Sequence, residues 1–165
     1  MSGKIVGIVI LAAGLIAGVA LYYLQVYGFY REVPDASVQL VALGSEAPEE
    51  ISVRDLRAID ADSSPIRFRA CFETDLTLAE ARETYVAVPP TDPRNAPGWF
   101  DCFDAPAIAA EIKAGRAETF LGGKNVRYGV DRIVALTEDG RGYAWHELND
   151  CGEKSYDGTV IGEDC

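Results

Sequence analysis

The most regular hydrophobic pattern in the chain is an unbroken apolar run near its beginning. No charged residue lies between Ile5 and Tyr30. Because about 20 apolar residues suffice for a helix to cross a ~30 Å hydrocarbon layer, the run predicts a membrane-spanning helix. A secretory signal has an apolar centre of only roughly 7 to 15 residues, followed by a small-residue cleavage site. We therefore expect residues 1–30 to form an uncleaved anchor.

After this run the apolar positions recur at the spacing of short strands. The segment IRFRACF, residues 66–72, alternates between apolar and polar positions and predicts a half-buried strand, with Phe68 on the core face and Arg69 on the solvent face. Further strands are expected over residues 38–43 and 84–88. An acidic loop follows the first of them, and it contains Glu46, Glu49 and Glu50.

Two short helices interrupt the strands. Thr77 and Glu80 have the spacing of a capping box, which predicts a helix over residues 77–84. In the second helix Asp104 suits the N-cap, Pro106 suits the first turn, and Gly115 suits the position after the last turn.

A hairpin is the clearest β-signal. Asp139-Gly140 lies between two strand-like runs, and this dipeptide favours a two-residue turn. That turn pairs Glu138 with Arg141, Leu136 with Tyr143, Val134 with Trp145 and Arg132 with Glu147. Strands with two short helices predict an α+β fold with a mainly antiparallel sheet over residues 38–165. Residues 31–37 are expected to be a linker.

Charge and cysteine content predict the cellular location of the chain. Lys4 precedes the apolar run, which favours a cytoplasmic N-terminus by the positive-inside rule. All four cysteines follow the run, and an even number predicts disulfides in an oxidising space. We expect a single-pass protein of a bacterial inner membrane with its C-terminal domain in the periplasm. Of three disulfide pairings we favour Cys71 with Cys102 and Cys151 with Cys165; the alternative is thiols that bind metal or stay reduced.

The outer part is strongly acidic. Fourteen of the 15 basic and all 26 acidic side chains follow residue 30, so this part carries a formal charge of −12. Such a charge disfavours nucleic acid and favours basic proteins, for example a c-type cytochrome. Solubility alone is the alternative explanation.

Catalytic chemistry is poorly supplied. His146 is the only histidine, and no nucleophile with an oriented base can be placed beside it. The four cysteines include no Cys-x-x-Cys, and copper or zinc would need clustered soft or imidazole ligands. We therefore predict no catalytic, cofactor or metal site, and a protein that is not an enzyme.

Two segments are candidates for contact with partners. Gly7, Leu11, Gly14 and Gly18 fall on one face of the anchor, where small residues let another helix approach, although glycine is also common in such helices. In the proline-rich loop PPTDPRNAPGWFDCF, residues 89–103, Trp99 and Phe100 are candidate contacts, and so are Glu46, Glu49 and Glu50. The aromatic residues could equally fold onto the core.

Several stretches resemble a family of single-anchor proteins of alphaproteobacteria, whose members are sometimes labelled histidine kinases. They are IDADSSPIRFRACF, PPTDPRNAPGWFDCFDAPAIAAEI and DRIVALTEDGRGYAWHELNDCGEK. The resemblance covers most of the chain and implies an association with assembly of the terminal cytochrome oxidase. A chain of 165 residues without a glycine-rich nucleotide lobe does not suit a kinase.

The expected function is that of a non-enzymatic accessory subunit or assembly factor of an inner-membrane respiratory complex, with cytochrome c oxidase as the first candidate. A free-standing periplasmic binding or sensory module is the second reading. A metallochaperone or redox protein is the third.

Overall fold

The computed structural model describes residues 2–45 and 47–163, which divide into two compact units at Tyr30. The first unit is helix α1, Gly3–Tyr23, continued by a π-helical turn, Leu24–Gly28. None of its described residues is buried in the protein, and together they form one helix of 26 residues that is long and apolar enough to cross a membrane. This confirms the predicted apolar helix, which fits a single-pass anchor.

The second unit has the predicted α+β fold. Its strands are β1 Arg31–Glu32, β2 Gln39–Val41, β3 Pro48–Glu50, β4 Arg54–Asp60, β5 Arg69–Glu73, β6 Ala117–Arg127, β7 Val130–Thr137 and β8 Arg141–Leu148. Its helices are α2 Leu78–Thr84 and α3 Ala105–Lys113. Six strands form one antiparallel sheet in the order β1-β4-β5-β8-β7-β6, and β2 and β3 form a separate antiparallel pair.

Both helices form for the predicted reasons. The Thr77 side chain accepts a hydrogen bond from the Glu80 backbone N–H, while the Glu80 side chain accepts one from the Thr77 backbone N–H. The Asp104 side chain accepts from the Ala107 N–H at the start of α3, with proline in the first turn. Gly115 follows α3 at φ +73°, in the left-handed region that glycine adopts without strain.

The core lies on both faces of the large sheet. On one face, Phe68, Ala70 and Phe72 of the β5 region join a buried cluster with residues of β2, α2 and β7. On the other face, Phe103 packs edge-on against Tyr143 and Trp145, and buries them together with α3. The prediction of a half-buried β5 is therefore wrong. The sequence shows the alternation, but it does not show that the proline-rich loop covers the second face.

Two predicted segments differ in the structure. Residues 84–88 form isolated bridges rather than a strand, from Tyr85 to Ala42 and from Ala87 to Phe120, and so connect β2 to β6. The expected linker 31–37 begins within the sheet, since Arg31 and Glu32 pair with Asp60 and Ile59. Short segments of this kind have too few residues for a clear alternation to appear in the sequence.

The hairpin between β7 and β8 is present, but its predicted register is wrong by one residue. The loop has three residues, 138–140, and the observed pairs include Leu136 with Gly142 and Ile133 with Trp145. A two-residue type I′ turn needs positive φ at both central residues, and here only Gly140 has it, at +84°. The Thr137 hydroxyl accepts a hydrogen bond from the Arg141 N–H and so stabilises the longer loop.

Candidate docking groove beside Trp99

In the observed hairpin register Arg132 lies opposite His146. The predicted register pairs Arg132 with Glu147 instead. His146 is almost fully buried, and its ring stacks on Phe68 with centroids 4.8 Å apart. Its Nδ1 lies 2.8 Å from the Pro65 carbonyl oxygen, and its Nε2 lies 3.2 Å from Arg132 Nε. Since arginine can only donate, the hydrogen-bond network assigns the proton to Nδ1.

Burial lowers the pKa of His146 from 6.5 to about 4, and the nearby positive charge of Arg132 acts in the same direction. The imidazole is therefore neutral at physiological pH. Both ring nitrogens hold the fold together, so the lone histidine has a structural role in this arrangement. The predicted Arg132–Glu147 pair does not form, because Glu147 binds Arg94 through a forked contact.

Arg69, expected on a solvent face, is only 3% exposed and organises the proline-rich loop. Its guanidinium donates to the carbonyl oxygens of Arg94 at 2.8 Å and Asn95 at 3.0 Å. It also lies 5.8 Å from the ring centroid of Phe103. A buried arginine with backbone acceptors fixes the loop in one conformation, because an unpaired buried charge costs several kcal/mol.

The Cys71–Cys102 disulfide fastens the same loop to β5, as the sequence predicts. The second predicted pair, Cys151 with Cys165, stays a prediction because Cys165 lies outside the described residues. A loop attached by both a disulfide and a buried arginine presents its side chains in a fixed arrangement.

The two aromatic residues of this loop that are candidate contacts, Phe100 and Trp99, differ in their exposure. Phe100 is only 4% exposed, with the Arg57 guanidinium 5.4 Å from its ring centroid. Its contact with a partner stays a prediction. Trp99 remains 36% exposed and lies edge-on against Phe100, with centroids 6.2 Å apart. In a loop, the sequence alone does not show which of two adjacent aromatic residues is buried and which is exposed.

Trp99 lines a groove of about 430 Å³ at the edge of the large sheet. Its other lining residues are Glu32, Val33, Pro34, Leu56, Arg57, Ala58 and Phe100. We call this feature the Trp99 groove. The Val33 N–H still donates to the Ala58 carbonyl, at 2.9 Å, but proline follows and has no N–H to continue the ladder.

Part of the β4 edge is consequently open in the Trp99 groove. Among the described residues, no strand pairs with the β1 side of β4 between Arg54 and Arg57. A bulge with Asp55 at φ +50° interrupts this part of the strand, a usual protection of sheet edges against strand addition. The groove therefore suits a side chain or a short segment better than a full added strand. The sequence does not predict this groove, because the scattered charged residues of β4 obscure the pattern of a strand.

The remaining candidate residues lie apart from this groove. Glu49 and Glu50 are exposed on β3, whereas Glu46 lies outside the described residues. Gly7, Leu11, Gly14 and Gly18 lie on α1. An added Cβ at any of the three glycines would meet no atom within 4 Å, so this face is open in the described chain. Among the described residues, no group of three or more histidine, cysteine or acidic side chains could hold a metal ion.

These features define a class of protein: one candidate membrane span joined to an α+β domain with a rigid aromatic groove. Residues 38–165 match the model of the family of unknown function DUF6446, and the chain belongs to that family. No curated protein and no solved structure matches the chain.

Proposed function

We propose that the protein is a non-enzymatic accessory subunit or assembly factor of an inner-membrane respiratory complex, with cytochrome c oxidase as the first candidate. In this proposal the N-terminus is cytoplasmic and the domain is periplasmic. The anchor binds the complex within the bilayer, and the Trp99 groove binds a segment of it outside.

The observation that carries the proposal is the half-exposed Trp99 beside the buried Phe100, on a loop that a disulfide and Arg69 hold in place. Aromatic anchors at preformed pockets dominate the binding energy of many protein interfaces. Because the loop is already ordered, a partner loses less conformational entropy on binding. Protein docking therefore suits this geometry better than chemistry on a small molecule.

Charge around the groove favours a basic partner segment. Glu32 lines the groove and is exposed. Asp35 and Asp101 are also exposed, and they directly follow the groove residues Pro34 and Phe100 in the sequence. Asp101 pairs with Arg57 of the groove at 2.9 Å, so these two charges offset each other and the net negative charge of the rim comes from Glu32 and Asp35. An apolar segment flanked by lysine or arginine would match this rim, and the overall charge of the domain would accelerate its approach. The same charge supports a transient contact with a basic c-type cytochrome.

The anchor supplies a second point of attachment. Its glycine face lets another helix approach closely where lipid provides no hydrophobic drive for pairing. Two weak attachments on one chain act together, since the first raises the effective concentration of the second. The respiratory identity of the complex is supported by the resemblance of the sequence to single-anchor proteins associated with oxidase assembly.

Purification from native membranes in mild detergent through a C-terminal tag tests this function. We expect large membrane subunits to copurify in fixed ratio, and Trp99→Ala to lower their yield several-fold. Leu43→Ala is the matched control, since Leu43 is an exposed apolar residue away from the groove. In the anchor, Gly14→Val with Gly18→Val should also lower the yield, whereas Ala12→Val with Ala20→Val on the opposite face should not.

The alternatives give different results in the same experiment. A free-standing binding or sensory module would be recovered alone, and this outcome contradicts the proposal. A metallochaperone would retain copper and show free thiols under non-reducing conditions. If subunits copurify and Trp99→Ala does not change their yield, the anchor is the binding element and the groove is removed from the proposal.

A further inference from the structure

The exposed apolar side chains of the second unit are concentrated at one end of its sheet. Eight large hydrophobic side chains are exposed among residues 31–45 and 47–163. Two of them, Leu43 and Trp99, belong to other segments of the chain. The other six come from the β6–β7 turn, the end of β8 and the C-terminal segment, and we call them the apolar end: Val126, Tyr128, Leu148, Tyr156, Val160 and Ile161.

Specific contacts bring these segments together. Leu148 is paired with Val130, directly after the turn that carries Tyr128. The Asn149 N–H donates to the Gly129 carbonyl at 3.0 Å. Within the C-terminal segment, the Ile161 N–H donates to Glu153 at 2.9 Å and Lys154 forms a bridge with Val160. The apolar end is therefore one folded surface and not a set of unrelated loops.

Tyr128 also touches this C-terminal segment. A Cβ added to Gly152 would lie 2.1 Å from the Tyr128 hydroxyl oxygen, so glycine is needed for the close approach. Lys124 forms an ion pair with Glu163 across the same junction. The two contacts join the C-terminal segment to the β6–β7 turn, and the ring of Tyr128 remains 77% exposed there.

The chain enters the domain at this same end of the sheet. Arg31 pairs with Asp60 in the sheet, and its side chain binds Asp62 just beyond the end of β4. Asp62 also lines a surface hollow together with Arg127, the last residue of β6. Arg31, the first residue of the second unit, therefore lies at the same end of the sheet as the β6–β7 turn.

Only Phe29 and Tyr30 separate the candidate span, which ends at Gly28, from Arg31. A chain rises at most about 3.6 Å per residue, so Arg31 stays within roughly 11 Å of the end of the span. With the span in a bilayer, as the proposed function has it, this short covalent connection limits the distance between Arg31 and the headgroup layer.

We propose that the apolar end inserts into the headgroup layer of the bilayer and fixes the domain on the membrane surface. Tyrosine suits this layer, with its ring in the apolar boundary and its hydroxyl in water. Lys124 pairs with Glu163 here and Arg127 lies near Asp62. The C-terminal segment also carries the acidic Asp150, Glu153 and Asp157, so the lipid surface that suits this end is a zwitterionic one. The proposal rests only on the anchoring part of the proposed function and requires no partner protein.

The test uses the purified full chain, alone, reconstituted in phosphatidylcholine vesicles with or without bromine on the acyl chains near the headgroups. In Tyr128→Trp we expect the added fluorescence to be largely lost in brominated lipid. In Glu138→Trp, an exposed position in the β7–β8 loop at the opposite end of the sheet, we expect it to be retained. Adding Leu148→Asp and Ile161→Asp to Tyr128→Trp should restore the fluorescence.

Equal fluorescence of Tyr128→Trp in both lipids would overturn the proposal. Protection of this residue from an aqueous quencher only in native membranes would also overturn it, because a protein would then cover the apolar end. Flotation of the vesicles with the bound chain checks anchoring separately, and the thiol count checks that each variant keeps its disulfide. Failure of the copurification experiment leaves this result unaffected.

Discussion

At the scale of single residues, two arginines stabilise the sheet from opposite faces through contacts with aromatic rings. The Arg132 guanidinium lies 4.4 Å from the ring centroid of Phe68, and Arg69 lies near the ring of Phe103. Burial lowers the pKa of Arg132, but the side chain stays charged because arginine starts far above neutral pH. Aromatic faces, carbonyl oxygens and one neutral imidazole lie against these guanidinium groups, and the charge of Asp60 also favours charged Arg132.

This arrangement makes the stability of the domain sensitive to acid. The folded state holds His146 neutral with a pKa of about 4, whereas the unfolded chain protonates it near pH 6.5. The unfolded state binds the extra proton between these values, so the contribution is complete above about pH 6.5 and is lost as pH falls to 4. We expect the free energy of unfolding to fall by about 3 kcal/mol across this window from His146 alone.

Denaturant unfolding of the full chain in detergent, followed by tryptophan fluorescence at several pH values, measures this loss. His146→Gln is the control, because glutamine cannot titrate and yet can donate and accept hydrogen bonds. The variant should be less stable than the wild type at pH 7, and the difference should shrink toward pH 4. A difference that is constant with pH would show that His146 does not carry the acid sensitivity.

At the scale of elements, the β7–β8 hairpin needs a small residue at Gly142, because the Phe72 ring of the neighbouring strand β5 lies directly against it. Gly142 lies opposite Leu136 and against Phe72 of β5, in a position where a Cβ would come within 2.1 Å of the Phe72 ring. Phe72 is buried and cannot move aside easily. The register of the hairpin therefore depends on glycine at this position as well as on the turn.

Gly142→Ala should destabilise the domain by about 1–3 kcal/mol, the usual cost of overpacking a core. Chemical denaturation of the full chain gives the value. Gly98→Ala is the matched control, since an added Cβ there meets no atom within 4 Å, and it should be nearly neutral. If the two variants were equally stable, the close contact between Gly142 and Phe72 would not exist in solution.

The same hairpin shows the limits of prediction from the sequence. Local signals identified both helix caps and the hairpin itself, because each depends on residues that are close in the sequence. The first disulfide joins cysteines 31 residues apart, and it is favoured as the complement of the Cys151–Cys165 pair. The register depended on whether one or two loop residues adopt positive φ, which Asp139-Gly140 leaves undecided. The burial of Arg69, the Arg132–His146 contact and the Trp99 groove all depend on segments that are distant in the sequence, so local patterns could not predict them.

At the scale of the whole molecule, the distribution of charge about the anchor sets the expected orientation. Lys4 precedes the helix, and the formal charge of −12 follows it. Only basic residues near the span govern insertion, so the argument rests on Lys4 and on the acidic neighbours of Arg31. The four cysteines favour the same outer location, where disulfides persist.

Protease treatment of intact spheroplasts measures this orientation. A C-terminal tag should be lost from spheroplasts and protected in inverted membrane vesicles. Cleavage of a known cytoplasmic-face protein is the control for sealed membranes. A tag that survives in spheroplasts and is cut in inverted vesicles would place the domain on the cytoplasmic side, where the respiratory docking proposed above would need a different partner surface.

The shortness of β1 has a mechanical consequence. Its two residues are the first part of the sheet to receive any pull transmitted through the membrane segment, and they pair only with Asp60 and Ile59. Under load, hydrogen bonds at the end of a ladder open one at a time, so tension would peel this strand away before it reached β4. We expect the detached strand to add a few residues of slack between the candidate span and the rest of the sheet.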